Sequence, residues 1–87
     1  MLQPRQGQLG RVSTQPLSLT HRFGEVVHAR RRRLGWTQEE LAEKAGLHRN
    51  HVGHIERGEK SPTLASVEAI CQALGERPSA LLEAAGS

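Results

Sequence analysis

The sequence predicts an all-α fold of five short helices. Three features point there. Apolar residues return every three or four positions from Thr20 to Ala85, glycines stand where those runs stop, and no stretch alternates as a half-buried strand would.

Residues 1–19 mix Gln, Gly, Pro, Ser and Thr with scattered Leu and Val, too little apolar surface to offset chain ordering, and are expected to form a flexible N-terminal arm. Its Arg5 and Arg11 leave two readings open, an arm that follows a DNA groove or an idle tail. The first helix is expected over 21–34, with Thr20 as N-cap, Phe23, Val27 and Leu34 at helical spacing, and Gly35 as the stop. Thr37-Gln-Glu-Glu40 is a capping box that starts a second helix over 38–45, closed by Gly46. Eight residues need tertiary packing to stay helical. After a turn of three or four residues around Gly46, a third helix starts near His48 or Arg49 and runs to about Arg57 before Gly58. A fourth helix, 64–74, carries Leu64, Val67, Ile70, Cys71 and Leu74 along one stripe and ends at Gly75. Pro78 suits the first turn of a fifth that ends near Ala84.

Eighty-seven residues hold one domain, placed at 20–87. A domain that small buries only about 60% of its unfolded surface, so a partner subunit would help it. Twelve Lys and Arg face nine Glu and no Asp, for a net charge of +3. Nine of the basic residues lie in 21–60 against six acidic ones, whereas 61–87 holds one basic and three acidic, so positive charge gathers where a polyanion would bind. Lone Cys71, among Ala69, Ile70 and Leu74, reads as a buried small hydrophobe. No apolar run is long enough to span a membrane, and Met1 is followed by a polar stretch unlike a signal peptide, so a cytoplasmic protein is expected.

On a helical wheel the third helix turns Val52 and Ile55 inward and puts Asn50, Gly53, His54 and Arg57 on the opposite face, with Arg49 at its edge. Amide, imidazole and guanidinium groups on one exposed face are suited to base edges. Arg pairs with guanine, and Asn with adenine, through two hydrogen bonds in the major groove. Gly53 costs about 1 kcal/mol relative to Ala inside a helix, which suggests close approach of a backbone or phosphate, or simple tolerance of a small residue.

The runs Arg31-x-x-Leu34-Gly-Trp-Thr-Gln-Glu-Glu-Leu-Ala42, Ala45-Gly-Leu47, Val52-Gly-His-Ile-Glu-Arg-Gly58, Ser61-Pro-Thr-Leu64 and Ala73-Leu-Gly75 together resemble the phage-repressor and Cro type of helix-turn-helix, the XRE family. The likeness covers about residues 22–83. It implies a five-helix, lambda-repressor-like DNA-binding domain, with Arg49, Asn50 and His54 as base readers and His51 nearer the sugar-phosphate. It implies phosphate contacts from Thr37 and Gln38 at the start of the second helix, where free amides and the helix dipole attract anions, and from Arg57 and Lys60. Ala42, Gly46 and Val52 are then structural, at the helix crossing and the turn, as is an Arg31–Glu56 pair. His48 and Gly53 depart from the family's usual Ser or Thr cap and common Ser.

The run Arg30 to Arg33 points in nearly all directions around a helix, so only part of it can face DNA. Trp36 reads as core between the first two helices, and with one Trp, one Phe and no Tyr, stacking on single strands is poorly supported. No nucleophile-base pair, paired carboxylate site or Gly-rich phosphate loop supports an enzyme, and no cofactor is expected. His48, His51 and His54 lie one turn apart, but successive steps drift around the helix, so only adjacent pairs could chelate and no metal is assigned. The expected partner is double-stranded DNA carrying a pseudo-palindromic operator, read by a homodimer that acts as a repressor. The C-terminal segment with Leu81 and Leu82 is the expected dimer surface, and the N-terminal arm the second choice. An antitoxin with a toxin partner, an interaction adaptor, or a restriction-modification controller protein fits the same fold.

Overall fold

The structure, a computed structural model, describes residues 18–86, so the expected arm lies almost wholly outside the described residues. Among these the chain is all-α: α1 (Leu19–Arg33), α2 (Gln38–Ala45), α3 (Arg49–Glu56), α4 (Leu64–Leu74) and α5 (Pro78–Gly86).

The start of α1 differs from expectation. Ser18, not Thr20, is the N-cap, and its hydroxyl accepts the His21 amide at 3.2 Å. Ser ranks above Thr as an N-cap. Thr20 lies inside the helix, and its Oγ1 is 3.1 Å from Ser61 Oγ. The far end differs too. Leu34 is 47% exposed as the C-cap, and the inward position is taken by Arg31. The capping box of α2 is formed, with Glu40 N donating to Thr37 Oγ1 at 3.0 Å and Thr37 N donating to Glu40 Oε1 at 2.8 Å. Gly46 leaves α2 at φ 71, a left-handed conformation that costs a residue with a Cβ about 1–2 kcal/mol. His48 caps α3 in place of Ser or Thr, its Nδ1 accepting the Asn50 amide at 3.1 Å.

Phe23 and Val27 of α1, Leu41 and Ala42 of α2, Val52 and Ile55 of α3, the α4 stripe of Val67, Ile70, Cys71 and Leu74, and Leu81 and Ala85 of α5 form one buried core. Leu64 stands outside that stripe, 86% exposed at the start of α4. Helix α5 closes the core from the α1 side. Leu81 therefore does not face a partner: it is fully buried, and only Leu82 remains exposed. The expectation failed because two adjacent leucines cannot share one face of a helix, and the core needed one of them.

Gly24 was not singled out by its sequence context, yet α1 crosses the last turn of α3 at this point. A Cβ on Gly24 would press into the Ile55 carbonyl oxygen and lie 2.8 Å from that of Glu56. Among the described residues, no helix is long and apolar enough to cross a membrane.

Candidate nucleic-acid interface

Val52 and Ile55, both fully buried, fix the rotation of α3 about its axis. Arg49 and Asn50 then stand exposed at its N-terminal end, His51 and His54 are half-buried, and Arg57 and Lys60 are exposed where the chain leaves the helix. Arg49, Asn50 and Arg57 share a cleft of about 490 Å³ with Thr37, Gln38 and Glu39 of the α2 start. Two helices thus offer one concave strip that joins guanidinium and amide groups to a helix N-terminus.

One member of the expected exposed face is not exposed. Gly53 is buried, because the side chains of Gln38 and Arg57 close over it. A Cβ there would lie 3.0 Å from Arg57 Nη1 and 3.3 Å from Gln38 Oε1. The close approach inferred from this glycine is therefore made by the protein's own side chains. Of the arginine run, Arg31 is buried, Arg30 is half-buried with its Nε 3.3 Å from Glu76 Oε2, and Arg32 and Arg33 are exposed.

Behind the cleft lies a polar node. The Glu56 side chain, 2% exposed, accepts Arg31 Nε on Oε2 at 2.7 Å and Arg31 Nη2 on Oε1 at 2.9 Å, the two-pronged geometry that suits guanidinium to carboxylate. Oε1 also accepts Gln38 Nε2 at 3.0 Å, and His28 Nδ1 at 3.0 Å when that nitrogen carries the proton. Arg31 Nη1 continues to the Trp36 carbonyl at 2.7 Å. One carboxylate thereby ties α1, the loop before α2, and Gln38 to the end of α3. Burial alone would raise the Glu56 carboxyl pKa, but hydrogen bonds from Arg31, Gln38 and His28, together with the Arg31 charge, hold it below the ordinary carboxylate range.

Arg57 is engaged as well. Its Nε and Nη2 donate to Glu59 Oε2 and Oε1 at 2.9 and 3.3 Å, and His54 Nε2 stands 3.8 Å from the same carboxylate. Neither Glu59 nor His28 was apparent as part of the site, since each joins it through a chain reversal or a helix crossing. Among the described residues, no group of three or more His, Cys, Asp or Glu side chains is placed to hold a metal ion. His48 Nδ1 serves the α3 cap instead.

The helix-turn-helix family model matches residues 27–81. The immunity repressor protein of Bacillus phage phi105 is 41% identical over 59 residues, a match that covers 68% of this chain and 41% of that protein, so the chain spans about two-fifths of the repressor's length. The control protein C.BamHI of Bacillus amyloliquefaciens is 39% identical over 62 residues, covering 70% of this chain and 76% of the relative. Among solved structures, the restriction-modification controller protein C.AhdI from Aeromonas hydrophila superimposes with a TM-score of 0.69 at 35% identity, covering 72% of this chain and 94% of that one.

Proposed function

Because the chain belongs to the XRE family of helix-turn-helix proteins, we propose that it is a sequence-specific transcription regulator whose α3 enters the major groove of duplex DNA. The observation that carries this reading is the single strip in which Arg49 and Asn50 of α3 stand beside the N-terminus of α2. Arg49, Asn50 and His54 read base edges, where paired hydrogen bonds distinguish one base pair from another. Thr37, Gln38, His51, Arg57 and Lys60 grip sugar and phosphate, which sets register and carries no sequence information.

Two copies about a two-fold axis present α3 to successive major grooves about 34 Å apart, so the target is a pseudo-palindrome and occupancy blocks polymerase. Exposed Leu82 gives the α5 end an apolar contact for that pairing. Such a target implies a cytoplasmic location. The likeness to C.BamHI and C.AhdI favours one narrower reading, a controller of a restriction-modification operon.

Selection of bound fragments from random duplex, followed by a footprint, tests the proposal directly. Arg49→Ala and Asn50→Ala change which sequence is preferred, at about 1–3 kcal/mol for each lost two-bond contact. Lys60→Ala weakens all duplexes alike and flattens the slope of log affinity against log salt by about one. Uniform loss in both classes of variant would overturn the division between readers and anchors.

A further inference from the structure

The residue just beyond the strip is acidic, and its position is built. Gly58 turns the chain at φ 72, and the Glu59 amide donates back to the His54 carbonyl at 2.9 Å. This reversal sets the Glu59 carboxylate across the Nε edge of Arg57, in the two-pronged arrangement by which a guanidinium also holds a phosphate. Arg57 of the strip and His54 beside it thus face an anion of the same chain. The hydrogen bond from Arg57 holds the Glu59 carboxyl below the ordinary carboxylate range.

We propose that Glu59 is an internal stand-in for a DNA phosphate: it occupies the Arg57 fork in the free protein and is displaced when a backbone phosphate takes that place. The inference rests on the DNA-binding reading above and adds a device to it. Every duplex, whatever its sequence, must displace the same carboxylate. Non-specific affinity, which arises almost wholly from phosphate neutralisation, is therefore held down. The ion pair is exposed and its contribution modest, so the restraint is a bias rather than a lock.

The test compares four proteins on a short mixed-sequence duplex across a range of salt: the natural chain, Glu59→Gln, Arg57→Ala, and the two changes combined. Glu59→Gln binds about three- to fivefold tighter at low salt, and its log–log salt slope steepens by about one, as Arg57 becomes free to neutralise a phosphate. In the Arg57→Ala background the same change adds nothing, because the carboxylate then has no fork to occupy. Weaker binding by Glu59→Gln would mean that Glu59 aims Arg57 at the DNA, and overturns the proposal. An equal gain in both backgrounds would mean that Glu59 acts only as a distant negative charge, and overturns it too. If all four proteins melt cooperatively yet none retains duplex at low salt, the DNA-binding reading itself fails, and this inference falls with it.

Discussion

Glu56→Ala lowers the unfolding free energy by about 3–5 kcal/mol, the cost of stranding one partner of a buried ion pair. The loss is large because the carboxylate satisfies two nitrogens of Arg31 together with Gln38 and His28, and none of these gains another anion when it is removed. Small domains have about 5–15 kcal/mol in total, so urea unfolding should move to much lower denaturant or lose its folded baseline. Arg31→Met combined with Glu56→Leu recovers most of the loss, since apolar groups of similar volume often replace a buried pair without penalty. Gln38 nonetheless loses its tether in that double variant, so DNA affinity stays below that of the natural chain while the fold returns. Recovery of both together would show that the node serves stability alone.

The same node makes stability depend on acid. Because the Glu56 carboxyl pKa is lowered in the folded state, its contribution is complete above the unfolded value near 4.5 and is lost as pH falls through the lower, folded value. Glu56→Gln removes this part of the acid sensitivity. Thermal midpoints of the two proteins, far apart at neutral pH, therefore converge below pH 4.5.

Gly24→Ala is expected to cost about 3 kcal/mol, at the upper end of overpacking penalties, and to lower the thermal midpoint by about 12–24 °C. The added methyl meets backbone carbonyls of α3, which cannot swing aside as a side chain can. Gly53→Ala is the control. Its methyl meets only the ends of Arg57 and Gln38, so the gain of about 1 kcal/mol in helix propensity offsets much of the crowding, and stability changes little. Equal destabilisation at both positions would remove the special status given to the α1–α3 crossing.

These two glycines mark where sequence reading succeeds and where it stops. The Thr37 capping box, the Gly46 turn and the inward pair Val52 and Ile55 are local patterns, separated by three or four positions, and were legible without any tertiary information. The site face was legible in part, because the wheel that placed Asn50 and Arg57 together could not show that Gln38, from another helix, would cover Gly53. Gly24 looks like an ordinary helix weakness until α3 is laid across it. Leu34 has the spacing of a core residue, but the helix ends at Arg33 and the chain turns away before that side chain can reach inside. Glu59 follows a left-handed glycine, beyond which helical spacing no longer tells which side chains meet. The misses at Gly53, Gly24 and Glu59 each involve a contact between segments distant in sequence or separated by a reversal.

Trp36 gives the molecule its own optical gauge. It is the sole tryptophan, no tyrosine competes with it, and its ring is half-buried with Lys44 Nζ 4.9 Å from the ring centre. Its carbonyl is bound by Arg31, whose other prongs hold Glu56 at the end of α3, so loosening of α3 frees a guanidinium bonded to the tryptophan's own backbone. Emission colour and quenching therefore follow melting in unlabelled protein.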